Sequence, residues 1–270
     1  MSDIKFFDIK NKTIGLSQKL PPKTLKTFVE KNLEEIFGLR LIASDYLINE
    51  GSNDIIETLC LDENNTISII EYRSGKFGKI INKGLVFVDY IKTNKSVFKM
   101  LINDKLGSDI VQAVNYNPRL IIIGDDFNRY DNHAIQKMNI SIDLIKYQMF
   151  DKTHIVFEKN YHSMQIDHQM FTFNFEGKKH LALYKLINDF VLSLGDEVVE
   201  TGIANVICYR KIKSFAYVEF KENVEITLFF KTKVARSTQM GNTYIKQYTI
   251  KTENDFFKIQ DEIELSYDQN

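Results

Sequence analysis

The chain has 270 residues, 44% of them hydrophobic and 26% charged, and its 35 Lys plus Arg against 36 Asp plus Glu leave a net charge of -1. This length suits two domains of roughly 100–150 residues each, and the composition excludes wholesale disorder. The balanced charge excludes a uniformly basic nucleic-acid binder, so any attraction to phosphate must come from a local patch.

The opening MSDIKFFDIKNK is charged throughout and lacks the apolar core of roughly 7–15 residues that a secretory signal carries, which predicts a cytoplasmic protein. Apolar runs such as 120–123 fall far short of the roughly 20 residues that cross a bilayer, so no membrane partner is expected. Cys60 and Cys208 are the two cysteines. They provide neither a disulfide framework nor a zinc cluster, and both are expected to be small buried residues.

In chain order, residues 22–37 place Leu25, Phe28, Val29, Leu33, Ile36 and Phe37 at helical spacing, with Gly38 as a stop. Residues 55–61 and 66–73 are rich in β-branched and apolar side chains and flank the turn composition Asp62-Glu63-Asn64-Asn65, which predicts a β-hairpin. Beyond the loop bearing Gly75 and Gly78, helical patterns cover 79–93 and 96–106, and 119–124 reads as a buried strand. A helix near 130–139 and strands near 141–149 and 153–159 complete a first domain, 1–160. Periodicity is weakest over 160–176, which is where the domain boundary is placed. In the second domain, 177–270, a helix over 180–194 ends at Gly195. Strands follow over 203–209, 214–221, 224–231 and 243–249, with a closing helix over 252–266. That order predicts a small α+β domain, an antiparallel sheet with two flanking helices.

Two carboxylates fall where a strand's apolar face should be. Period two puts Ile55, Glu57, Leu59 and Leu61 on one face of the first hairpin strand, and Ile67, Ile69, Glu71 and Arg73 on one face of the second. With Leu61 opposite Ile67, Glu57 lies opposite Glu71. Facing carboxylates on a half-buried surface need a cation or a shared proton. Mg²⁺ or Mn²⁺ suits them, since hard cations prefer carboxylate oxygens and leave room for water and a phosphate oxygen. Arg73 would project a positive charge toward the same place. The alternative is a structural ion-pair cluster of Glu57, Glu71 and Arg73 at a strand end.

The runs IIETLCLDENNTISIIEYRSGKFGKIINKGLVFVDYI (55–91) and NPRLIIIGDDFNRYDNHAIQKMNISIDLIKY (117–147) resemble the core of a PD-(D/E)XK nuclease-like family related to the endonucleases for branched, single-stranded or mismatched DNA. The part from about His180 onward resembles a small domain of unknown function that commonly follows such cores. The resemblance implies an α/β restriction-endonuclease-like fold in the first domain and a metal-dependent nuclease acting on DNA, with RNA a further candidate. It makes Glu57 the motif aspartate, Glu71 the second acid and Arg73 the motif lysine, with Glu35 as an additional upstream carboxylate. Lys83 falls where relatives usually carry a glutamine, with Asp89 and Tyr90 further along the same helix. Glu for Asp, Arg for Lys and Lys for Gln all depart from the family pattern, and a second reading is a nuclease-fold protein without catalysis that binds nucleic acid or a protein. The oligomeric state is open, a homodimer included.

Lys76, Lys79 and Lys83 are candidates for guiding a nucleic-acid backbone, with Phe77 as a stacking surface. Arg119, Arg129 and His133 could form a phosphate-binding edge, but solvated surface and a helix cap at Asp131 are favoured. His154, His162 and His168 share no metal-binding period. Tyr209, Arg210, Lys211, Lys213, Phe215 and Tyr217 form either a binding face or an ordinary sheet with one wet side. No Gly-rich phosphate loop, nucleophile elbow or dinucleotide fingerprint is present.

Overall fold

A computed structural model describes residues 7–8, 13–14, 17–48, 54–73, 80–127, 129–150, 153–163, 178–203 and 206–270. The chain divides into two compact units, Met1–Glu34 with Leu39–Gln165, and Glu35–Gly38 with Ile166–Asn270. Most of the expected boundary, 160–176, lies outside the described residues.

The first unit begins with β1 (Phe7–Asp8) and β2 (Thr13–Ile14), an antiparallel pair, and β3 (Ser17–Gln18). Pro21 and Pro22 then open α1 (Pro22–Lys31), where proline's fixed φ suits the first helical turn. The helix expected over 22–37 is broken. Asn32 ends α1 with φ -126°, and α2 (Leu33–Phe37) follows as a separate turn. Leu25 and Val29 bury the inner face of α1.

Next come β4 (Arg40–Leu47), β5 (Ile55–Leu61), β6 (Thr66–Arg73), α3 (Ile80–Thr93), α4 (Lys95–Leu106) and α5 (Ser108–Val111). The unit ends with β7 (Asn115–Gly124), α6 (Arg129–Gln136), β8 (Ile142–Phe150) and β9 (His154–Ser163). Among the described residues these strands form one mixed sheet in the order β3-β8-β7-β6-β5-β4, with β9 also paired to β8. The ladders β6–β7 and β7–β8 are parallel, and β4–β5, β5–β6 and β8–β9 are antiparallel. Each parallel ladder needs a crossover, and helices α3 to α5 and α6 supply them. The hairpin turn is tied by Asp62, whose Oδ1 accepts from the backbone N–H groups of Asn64 and Thr66, with Asn65 at φ 57°.

Strand β4 escaped the sequence pattern. It is an edge strand whose register shifts between Leu41 and Ala43, and Asp45 sits at φ 52°, so its apolar residues do not alternate cleanly.

Leu59, Leu61, Ile67, Ile69, Leu120 and Ile122 from the sheet pack with Phe87, Val88 and Ile91 of α3 in one core. Each such side chain contributes roughly 1.5–3 kcal/mol on burial. Helix α3 reaches the sheet closely because Gly84 has no side chain. A Cβ there would lie 2.4 Å from Leu120 Cδ2.

The second unit carries α7 (Lys178–Ser193), β10 (Val199–Ile203), β11 (Val206–Arg210), β12 (Ser214–Phe220) and β13 (Val224–Phe230). It continues through β14 (Thr238–Met240), β15 (Thr243–Ile250), α8 (Glu253–Phe257) and α9 (Gln260–Gln269). Its strands form an antiparallel sheet in the order β10-β11-β12-β13-β15-β14. The single closing helix expected over 252–266 is two helices, α8 opening at a capping box between Thr252 and Asp255. Both cysteines are buried, and neither forms a disulfide with the other. Among the described residues no helix is long and apolar enough to cross a membrane.

Candidate active site

The β5–β6 ladder runs from Leu61 opposite Ile67 to Thr58 opposite Ile70, the register expected from the sequence. One step further along lie Glu57 and Glu71. There a side chain takes over from the backbone: the Glu57 N–H donates to Glu71 Oε1 at 3.0 Å. Lys83 Nζ, from the first turn of α3, donates to Glu71 Oε2 at 2.8 Å. Glu71 is fully buried, whereas the Lys83 side chain keeps 34% of its surface exposed. The Lys83 ammonium also lies 5.0 Å from the centre of the Phe87 ring.

Burial pushes the Glu71 carboxyl up to about 7, although the Glu57 N–H and Lys83 both favour its charged form. Burial likewise raises Glu57, against the pull of Lys83, Lys26 and a hydrogen bond from the Tyr72 backbone. Desolvation therefore outweighs the built-in positive charge at both acids.

Glu57 and Lys83 line an open cleft of about 590 Å³ whose other walls come from α1, β4 and the start of β5. From α1, Lys26 pairs with Asp45 at 2.5 Å and lies 3.8 Å from Glu30. Glu30 Oε1 accepts from Thr58 Oγ1 at 2.7 Å, and Thr58 shares a hydrogen bond with the Tyr72 hydroxyl. Lys23 and Ser44 also face this cleft. Glu30, Lys26 and Asp45 were missed in the sequence. The spacing of Lys26 and Glu30, one helical turn apart beside Leu25 and Val29, was the available signal; Asp45 offered none.

Of the remaining site candidates singled out in the sequence, none that is described lines this cleft. Arg73 is buried and donates from Nη1 to Asp131 Oδ2 at 2.7 Å, with its guanidinium 5.5 Å from the centre of the Phe127 ring. Asp131 thus serves an ion pair at the end of β6. Glu35 lies exposed on α2 in the second unit and is not part of the cleft lining. Lys76, Lys79 and Phe77 lie outside the described residues, as do the side chain of Arg129, that of His162 and all of His168. On α3, Asp89 is exposed and Tyr90 half-buried. Arg119 corrects the expectation of a phosphate-binding edge or solvated surface: it is buried and paired with Asp143. His133 and His154 are exposed. In the second unit Tyr209 and Phe215 belong to the core, and Arg210 and Lys213 are buried, so these strands do not present the aromatic and basic binding face considered above. Among the described residues no group of three or more His, Cys, Asp and Glu is placed to hold a metal ion.

Residues 173–270 match the family model of a domain of unknown function, DUF5655. No curated protein matches the chain. Among solved structures, the chain is similar to an EndoMS–dsDNA2 complex at 13% identity, covering 48% of this chain and 47% of that one with a TM-score of 0.29. It is also similar to a repair endonuclease from Pyrococcus abyssi at 14% identity, covering 48% of each chain, again with a TM-score of 0.29. The chain spans about half the length of the solved structures it matches. The first unit is a mixed α/β body, and residues 173–270, which fall in the second unit, are similar to a domain of unknown function.

Proposed function

We propose that the first unit is a PD-(D/E)XK-type nuclease core that hydrolyses phosphodiester bonds in DNA, with Glu57 and Glu71 holding Mg²⁺ or Mn²⁺. One observation carries this reading: where the β5–β6 ladder ends, the buried Glu71 carboxylate accepts from the backbone N–H of Glu57, whose residue lines an open cleft, so two acids meet at the cleft's edge. An all-oxygen donor pair with more negative charge than its neighbours balance fits a hard divalent cation. When bound, such an ion polarises a phosphoryl oxygen and lowers the pKa of a bound water.

The residues around it have distinct parts. The Glu57 N–H fixes the Glu71 carboxylate, so the second acid does not swing. Lys83 brings a compact ammonium to the pair from α3, the part the sequence assigned to Arg73, while Arg73 anchors the end of β6 through Asp131. Glu30, rather than Glu35, is the upstream carboxylate at the cleft. Lys23 gives the cleft a further positive charge toward a nucleic-acid backbone, and Lys76 and Lys79 are assigned the same task on sequence grounds.

The test is cleavage of labelled single-stranded and duplex DNA, and of RNA, with Mg²⁺, with Mn²⁺ and with chelator. Wild type is expected to cut only with metal, and Glu71→Gln, which keeps shape and removes charge, to lose that activity by orders of magnitude. A specific observation favours a second reading, a binding module without catalysis: Lys83 already occupies Glu71 Oε2. DNA binding that is indifferent to metal, with no cleavage by wild type, would establish that reading instead.

A further inference from the structure

We infer that Lys83 is a displaceable cation: it holds Glu71 in the metal-free protein, yields that oxygen to a divalent metal, and is thereby released into the cleft as a phosphate-binding ammonium. The inference rests on the reading of Glu57 and Glu71 as metal ligands and specifies how that site is gated.

Glu71 has both oxygens engaged, Oε1 by the Glu57 N–H and Oε2 by Lys83 Nζ at 2.8 Å. The first donor is backbone in a sheet and cannot leave. The second sits on a flexible four-carbon stem with 34% of its side chain exposed, so its exit is open. A divalent ion on Oε2 and an ammonium within about 3–4 Å of it repel, and the partly desolvated site strengthens that repulsion. One cation or the other therefore holds this oxygen.

The cleft has a place for the released ammonium. Among the described residues its wall carries two other lysines: Lys26 is taken by Asp45 and Glu30, and Lys23 lies at the start of α1. Lys83 would add a mobile positive charge directly beside the paired acids, where a phosphate oxygen bridging to the metal needs a donor. Arg73 cannot substitute, being buried and paired with Asp131.

The experiment is calorimetric titration of Mn²⁺ into the full chain as wild type, Lys83→Met and Lys83→Gln, each checked for folding by circular dichroism. Removing the competing cation should tighten Mn²⁺ binding about two- to fivefold, since an ion pair of this exposure opposes metal entry only modestly. Lys83→Gln, which keeps a donor without charge, guards against a folding defect in the methionine variant and should shift in the same direction. Measurable Mn²⁺ binding by wild type with unchanged or weaker binding in both variants overturns the inference and leaves the metal reading intact. Binding by the variants but not by wild type also overturns the inference, since Lys83 then blocks the metal instead of yielding to it, and overturns wild type as a metal-dependent nuclease. No binding by any of the three overturns both.

Discussion

Glu71 and Asp143 are both fully buried carboxylates in the same sheet, on β6 and β8, and each is paired with a base. Their partners differ. Asp143 meets Arg119 of β7, a planar guanidinium held on the neighbouring strand two residues from Asp143's ladder partner Ile121, and that arginine is itself only 5% exposed. Glu71 meets Lys83, a single mobile ammonium arriving from a helix at the edge of a cleft, and has a second carboxylate beside it. The first arrangement is sealed, with both side chains buried. The second is open to solvent on one side through Lys83 and sets two acids beside one lysine, the difference expected between a structural pair and the cation site proposed above.

The sharpest way to break this comparison is to remove one partner of the sealed pair. Asp143→Asn leaves the Arg119 cation buried with a neutral neighbour, and should lower unfolding free energy by about 3–5 kcal/mol in urea denaturation. Mn²⁺ affinity of the folded fraction should not change. A loss under about 1 kcal/mol would mean that Arg119 finds water and that the pair is not sealed.

At the open site the corresponding change should act in the other direction. The folded Glu71 carboxyl titrates near 7 against an ordinary 4.5. Since the folded value is the higher one, its contribution to stability is fully present below pH 4.5 and is lost as pH rises to about 7. Glu71→Gln removes this slope: its amide oxygen still accepts the Glu57 N–H, and Lys83 turns to solvent. In chelator at about pH 8 the variant should be more stable than wild type by about 1–3 kcal/mol, with the two curves converging toward about pH 4.5. Thermal melts across that range check it. A variant less stable at the alkaline end would make Glu71 a structural acid like Asp143.

What was legible in the sequence follows from range. The facing of Glu57 and Glu71 came from period two and the Asx turn at Asp62, both local to the hairpin, and so did its register. The pairing of Lys83 with Glu71 depends on how closely α3 lies on the sheet, which Gly84 permits against Leu120. The diversion of Arg73 depends on Asp131, which the chain brings back only after the α3 to α5 crossover and β7. Glu35 came from the family resemblance, and the break at Asn32, which the unbroken apolar spacing of 22–37 did not show, puts it on α2, apart from Glu30 on α1.

That diversion gives a smaller test. Asp131→Asn keeps a hydrogen-bond acceptor for Arg73 and removes the charge, while stacking on Phe127 remains. The expected loss is about 1–2 kcal/mol, measured by denaturant unfolding, with Mn²⁺ affinity within about twofold of wild type. A large change in metal affinity would return Arg73 to the cleft chemistry.

The smallest effect probes the two facing acids themselves. Glu57 contributes to the raised pKa of Glu71 by direct repulsion, but as the last of its causes, well behind burial. A double-mutant cycle of Glu57→Gln and Glu71→Gln, run in chelator at about pH 8, isolates this contribution. The amide introduced by Glu57→Gln can still accept the hydrogen bond from the Tyr72 backbone, so the single change relieves charge and desolvation without removing a partner. Either single variant relieves the same repulsion, so the double variant should gain less than the sum of the two, by about 0.5 kcal/mol. A coupling near zero would mean that solvent in the cleft screens Glu57 from Glu71, and the paired-ligand geometry would lose its electrostatic basis. A coupling well above about 1 kcal/mol would mean that the two acids hold one proton between them in the metal-free protein, with the cation exchanging against a proton as well as against Lys83.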